Sequence, residues 1–159
     1  MQRAVSCVTR AALITSSAGY EGDREVHALT LGAIAVPLSG RNRLGLLVRI
    51  CYQIVQAEPM AAEWFAAPTG YTRAIEDGGG HETVAWHWHP RARGQIEEPH
   101  RHLGAGSGAS AELAKRHLPT GRLALSGVVR YLIRDLGVRP LRADWEQALA
   151  TVEAAAANR

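Results

Sequence analysis

The stretch "TGYTRAIEDGGGHETVAWHWH", residues 69–89, decides the fold. Two runs rich in β-branched and aromatic residues flank the glycine-rich turn "DGGG", a pattern typical of a β-hairpin. In the second run Trp86 and Trp88 alternate with His87 and His89. Because successive side chains of a strand point to opposite faces, the tryptophans predict a core face and the histidines share the other face.

Further along the chain, "PHRHL", residues 99–103, predicts a short third strand with His100 and His102 on one face. Apolar residues at helical spacing predict a helix over residues 42–57, another over 121–136, and a last one that begins near Asp144. The segment "GAGSGAS" between them has the composition of a flexible linker.

Together these elements predict an α+β fold. We expect a small antiparallel β-meander of about three to four strands, packed on one face by helices that include the two C-terminal ones. The helices over 42–57 and 121–136 are expected to cover the tryptophans, which leaves the histidines open. Residues 26–159 are interpreted as a single domain, and residues 1–25, which show no period, as a poorly ordered N-terminal arm.

The composition places the chain among ordinary globular proteins. Its 159 residues are 47% hydrophobic and 21% charged, with a formal net charge of +3, which excludes disordered and fibrous classes. Two cysteines provide no disulfide framework. Since no apolar run approaches the roughly 18 residues of a membrane span, no membrane association is expected, and a cytoplasmic protein is predicted.

Two His-x-His pairs in neighbouring strands would bring four imidazoles together, because cross-strand Cβ atoms lie roughly 5 Å apart. One interpretation is a metal site, with zinc or iron held by His87, His89, His100 and His102. Glu97 or Glu98 is then a candidate carboxylate. The order of glycine, His-x-His, glutamate and glycine also resembles the first cupin motif.

A second interpretation is acid–base catalysis on a phosphodiester without a cofactor. One histidine of each pair would act as base or acid. The phosphate would be bound by residues of "HRH" and of "RHLPTGR", namely Arg101, His117, Thr120 and Arg122. A third interpretation is structural, in which the histidines only hydrogen-bond across a half-solvated sheet.

The pieces "AWHWHP", "EPHRHLG", "RHLPTGR" and "VVRYLIRDLGV" resemble small uncharacterised bacterial proteins with the pattern HWHP…PHxHLG…HLPTGR. More remotely, "HRH" between a charged loop and a helix is similar to the TumE-like toxins of type II toxin–antitoxin modules. This resemblance implies a small toxin that acts on RNA, and a helix-turn-helix antitoxin as its partner.

The leading functional prediction is therefore a toxin-like protein whose histidine-rich face binds or cleaves RNA or another phosphodiester without a metal, with a metal-independent ribonuclease as the candidate enzyme. A metal-binding protein that uses the same histidines is the first alternative, and a non-enzymatic interaction domain is the second. A homodimer is among the expected assemblies.

Overall fold

The computed structural model describes residues 1–15, 25–58, 62–90 and 96–157. These residues form one antiparallel sheet of eight strands. In chain order the strands are β1 (Ile14–Thr15), β2 (His27–Thr30), β3 (Val36–Pro37), β4 (Gly45–Gln56), β5 (Trp64–Glu76), β6 (Glu82–Trp88), β7 (His100–Leu103) and β8 (Leu118–Pro119).

Four α helices accompany the sheet in this part of the chain: α1 (Gln2–Val5), α2 (Ala111–Ala114), α3 (Leu125–Arg134) and α4 (Trp145–Ala157). A 3-10 turn covers Ala105–Ser107. Among the described residues, none of the helices has both the length and the apolar character needed to cross a membrane. The two C-terminal helices lie where their apolar spacing predicted them, each to within a few residues.

The strands follow the order β1-β2-β4-β5-β6-β7-β8, and β3 pairs with β4. The α+β class and the antiparallel sheet are therefore confirmed, and β5 and β6 form the predicted hairpin around Asp77–Gly80. The sheet has eight strands, more than the three or four expected. Most of the additional strands are β4 itself and β2 and β3, which pair with it.

The helix predicted over residues 42–57 is wrong, since this segment forms the 12-residue strand β4. Leu46, Val48 and Ile50 alternate along it and are at most 2% exposed. Because β4 pairs with β2, β3 and β5, its backbone hydrogen bonds are made between strands and not within a helix.

Helices cover one face of the sheet, here called the Trp face because it carries Trp86 and Trp88, which are 4% and 6% exposed. The ring of Trp86 meets Tyr131 of α3 edge-on, with ring centroids 5.8 Å apart. Leu132 of α3 and Leu149 of α4 are fully buried in the same core. Among the described residues, no helix as long as α3 or α4 covers the other face of β6 and β7, which is here called the His face.

Residues 1–15 do not form the poorly ordered arm that we expected. Helix α1 packs against α3 and α4, and Ala4, Val5 and Cys7 are completely buried in the main core. A short four-residue helix shows too little periodicity to be recognised from sequence, which explains the error. The remainder of the expected arm, residues 16–24, lies outside the described residues.

Two side chains of β5 fix the segment that enters α3. Tyr71 accepts a hydrogen bond from the backbone N–H of Leu123 through its hydroxyl, at 3.2 Å. The buried Arg73 donates to the carbonyl of the same residue, and its guanidinium lies 4.1 Å from the Tyr71 ring centroid. Burial lowers the pKa of Arg73 to about 10, so it remains a cation at neutral pH.

The predicted linker "GAGSGAS" is ordered instead. Ser107 donates to the carbonyl of Gly104 at 2.7 Å, and Ser110 caps α2 by accepting from the N–H of Leu113 at 3.3 Å. Side-chain hydroxyls thus replace the missing regular hydrogen bonds of this segment. The segment returns the chain to β8, at the edge of the His face.

Candidate metal centre

The pairing of β6 with β7 brings the two His-x-His pairs together. His87 lies directly opposite His100, and His102 lies opposite Ala85. Directly opposed residues of an antiparallel pair share a face. The expectation that both pairs occupy one face of adjacent strands is therefore confirmed by the register.

A fifth histidine, His117, joins the cluster from the segment before β8. Its ring centroid is 4.8 Å from that of His100 and 6.0 Å from that of His102. The sequence predicts that His117 binds a phosphate. In the structure its ring lies against the rings of His100 and His102. The cluster opens into a cavity of about 480 Å³ lined by Thr72, His87, His89, Ile96, His100, His102 and His117.

The shortest contact in the cluster joins the Nε2 atoms of His87 and His102, which are 2.9 Å apart. The two rings are stacked, with an interplanar angle of 8° and centroids 4.8 Å apart. The Nδ1 atom of His87 also lies 3.3 Å from Nε2 of His89. Each of these nitrogens carries a proton or offers a lone pair, so one shared cation can link the facing Nε2 atoms.

Glu82 completes this group, and the sequence did not reveal it. Its Oε1 atom lies 3.1 Å from Nδ1 of His102. A β-bulge places it there: Glu76 pairs with Glu82 while Ile75 pairs with Val84, so Thr83 is an extra residue. The bulge reverses the alternation at the start of β6 and turns the Glu82 carboxylate toward the His face.

His100 is oriented by the backbone. Its Nδ1 atom lies 2.8 Å from the carbonyl oxygen of Glu98, and since a carbonyl only accepts, Nδ1 must donate. The Nε2 atom of His100 is then the acceptor nitrogen of the neutral ring. Glu98 thus contributes its carbonyl, which differs from the carboxylate ligand that the sequence suggested for Glu97 or Glu98.

Three imidazoles of the cluster, those of His87, His89 and His117, have lowered pKa values. Burial, followed by the charges of the neighbouring histidines His102, His89, His100 and His117, lowers the pKa of His87 to about 4. Burial, then His100 and Arg49, also lowers the pKa of His89. The pKa of His117 is lowered by burial and by His100 and His102. Neutral imidazole is the form that binds a metal ion.

Both arginines predicted to bind phosphate lie on the other face of the sheet. Arg101 pairs with Trp86 and is exposed on the Trp face. The Arg122 guanidinium stacks 3.9 Å above the Trp88 ring. Thr120 is exposed and donates its hydroxyl to the carbonyl of Gly121 at 3.0 Å. The structure therefore does not bring Arg101, Arg122 or Thr120 to the histidines. Strand alternation turns Arg101 away from His100 and His102, and Thr120 and Arg122 lie beyond the end of β8.

Within the described part of the chain, one set of three side chains could hold a metal ion. The ligand atoms of Glu82, His87 and His102 all lie within 4.8 Å of one another. Two imidazoles and a carboxylate suit zinc and other divalent transition metals. A larger cavity of about 570 Å³ is lined by Gly40, Arg41, Asn42, Gly137 and Arg139, which offer no imidazole, thiolate or carboxylate.

Comparison with known proteins identifies no relative of this chain. No protein-family model, no curated protein and no solved structure matches the chain. The resemblances to HWHP-containing proteins and to TumE-like toxins therefore stay predictions, and the function rests on the geometry of the histidine cluster.

Proposed function

We propose that this protein binds a divalent transition-metal ion through Nε2 of His87 and Nε2 of His102, with Glu82 as the carboxylate that accepts from Nδ1 of His102. The observation that carries the proposal is the convergence of ligand atoms from these three side chains within 4.8 Å. This is the metal-binding alternative of the sequence analysis, with Glu82 added to the predicted histidines.

The hydrogen bonds around the ligands support the proposal. Metal-binding histidines usually donate their second ring N–H to a carboxylate or a carbonyl, which fixes the tautomer. The Nδ1 atom of His102 faces the Glu82 carboxylate at 3.1 Å, and Nδ1 of His87 faces Nε2 of His89 at 3.3 Å. In this arrangement the two Nε2 atoms, 2.9 Å apart, offer their lone pairs to one ion.

The cavity favours an open centre over a closed structural one. Structural zinc sites are filled by four protein ligands, whereas catalytic sites keep a position for water or substrate. Here His87 and His102 form part of the wall of a cavity of about 480 Å³. A bound divalent ion would supply Lewis acidity toward a water molecule or an oxygen of a substrate.

The toxin-like ribonuclease remains a prediction. In that mechanism one histidine must carry a proton near neutral pH to act as an acid. Burial within the cluster holds the pKa of His87 at about 4, which disfavours its protonated form. We therefore place the metal-binding function first.

The test is the zinc content of untagged protein after equilibration with Zn²⁺ and removal of free metal. We expect about one equivalent in the wild type and a loss in the His87→Ala/His102→Ala double variant. His81→Ala is the matched control, since His81 is exposed and pairs with Asp77 at 3.4 Å outside the cluster. Equal zinc content in the wild type and the double variant would overturn the proposal, as would no zinc in the wild type.

A further inference from the structure

One row of side chains crosses four strands on the His face. Arg49 of β4 pairs with Thr72 of β5, Thr72 pairs with His87 of β6, and His87 pairs with His100 of β7. Neighbouring strands lie about 4.8 Å apart. Arg49 therefore lies two strands from His87 on the same face. Thr72 lies between them, and its Oγ1 atom is 3.3 Å from Nε2 of His89.

Arg49 is exposed, and no ion pair within the described ranges includes it. An extended arginine side chain is long enough to span one strand spacing. Arg49 can therefore present its guanidinium at the rim of the cavity, beyond Thr72.

We propose that the metal site takes a small ligand with an oxyanion group, a carboxylate or a phosphate, and that Arg49 binds this group. The inference rests on the proposed metal function. A guanidinium fork matches the paired oxygens of a carboxylate or a phosphate, which makes arginine well suited to this contact. The Thr72 hydroxyl lines the cavity on the path between the two sites.

The charges on the His face agree with an anionic ligand. A divalent ion would exceed the single negative charge of Glu82, and Arg49 adds a further positive charge. The site would then attract an anion and disfavour a cationic ligand.

Arg101 provides a matched control. It lies between His100 and His102 in β7 and is exposed like Arg49, but it faces the Trp side of the sheet. Arg49→Gln and Arg101→Gln remove the same charge from opposite faces. Arg49→Lys keeps the charge on the His face and removes the fork.

The experiment uses protein loaded with Co²⁺, whose visible absorption reports ligand exchange at the metal. Inorganic phosphate and acetate are titrated separately into the wild type and the three variants, and the Co²⁺ stoichiometry is measured in parallel. We expect Arg49→Gln to bind the preferred anion at least tenfold more weakly at unchanged stoichiometry, since a charged hydrogen bond is lost. Arg101→Gln should bind as the wild type does, and Arg49→Lys should lie between.

The outcomes separate the two proposals. If Arg49→Gln binds metal and both anions as tightly as the wild type, or if neither anion perturbs the loaded wild type, the role of Arg49 is overturned and the metal site stands. Failure of the wild type to bind Co²⁺ would overturn the metal site, and the Arg49 proposal with it. A loss confined to phosphate or to acetate identifies which oxyanion the site prefers.

Discussion

The Nε2 atoms of His87 and His102 lie 2.9 Å apart on neighbouring strands, with the rings stacked at 8°. When Nδ1 of each ring donates to its own acceptor, the two facing Nε2 atoms both carry lone pairs. Only a cation satisfies both, and the choice is between a proton and a metal ion. A proton and a metal ion therefore compete for the same pair of Nε2 atoms, and the residues around the two rings determine which of them binds.

Glu82→Gln should weaken zinc binding by about 10- to 100-fold, the usual loss when a partner of a metal-binding histidine is changed. The amide keeps the size of the side chain and removes the charge that faces Nδ1 of His102. Competition with a chromophoric chelator measures the affinity. Glu112→Gln, an exposed change in α2, is the control, and an equal loss in both variants would argue against the role of Glu82.

The metal-free protein should lose stability as the pH falls from about 6.5 to about 4. Burial first, and then neighbouring histidines, lower the pKa of His87 from 6.5 to about 4 in the folded state, so the unfolded chain binds more protons in this window. The contribution of the neutral His87 ring to the free energy of unfolding is fully present above pH 6.5. It is lost as the pH falls toward 4, and the loss is at most about 3 kcal/mol.

Urea denaturation at a series of pH values measures whether the free energy of unfolding falls as the pH falls. His87→Gln should flatten the dependence between pH 6.5 and 4, whereas His81→Gln should leave it unchanged. A profile that becomes more stable toward pH 4 would contradict the buried neutral imidazole.

Gly104→Ala should lower both stability and zinc affinity. A Cβ at Gly104 would overlap the carbonyl oxygen of Glu82 and lie 2.8 Å from its Cβ, so β7 or the bulge must move. Overpacking of this kind costs about 1–3 kcal/mol. Gly108→Ala is the comparison: its φ of +71° makes alanine unfavourable, but no atom lies within 4 Å. Zinc affinity should fall only in Gly104→Ala.

Arg122→Gln should lower the free energy of unfolding by about 0.5–1 kcal/mol, because it removes the stacking of the guanidinium on Trp88. Zinc binding should not change, since Arg122 lies on the Trp face. Thermal denaturation and zinc titration of the same preparation measure the two effects. A large loss of zinc affinity would mean that Arg122 reaches the His face.

The hairpin and the His face could be predicted from the sequence because they depend on local alternation. Trp86 and Trp88 identify the buried side of β6, and the parity of His87 and His89 follows from it directly. The register with β7 then needs only that two consecutive strands pair, which is the common arrangement.

Strand β4 could not be predicted in the same way, because its apolar run fits two periods. Leu47, Ile50 and Ile54 match a helix, while Leu46, Val48 and Ile50 match a strand. Pairing with β5, which begins at Trp64, decides between them. Such pairing depends on distant residues and not on the local pattern.

Glu82 was missed for a related reason. Strict alternation counted back from Trp86 assigns Glu82 to the Trp face. The extra residue at Thr83 reverses this assignment, and a bulge of one residue changes neither composition nor period in a recognisable way. The sequence therefore indicated the histidines of the site and not its carboxylate.

We propose that His87 and His102 share one metal ion. Imidazole ¹⁵N spectra during a zinc titration test it most directly, since they distinguish Nδ1 from Nε2 in each ring. The Nε2 resonances of both residues should move together and saturate at one equivalent, while those of His81 should not move. If zinc leaves both Nε2 resonances in place, or first perturbs His81, the claim is contradicted.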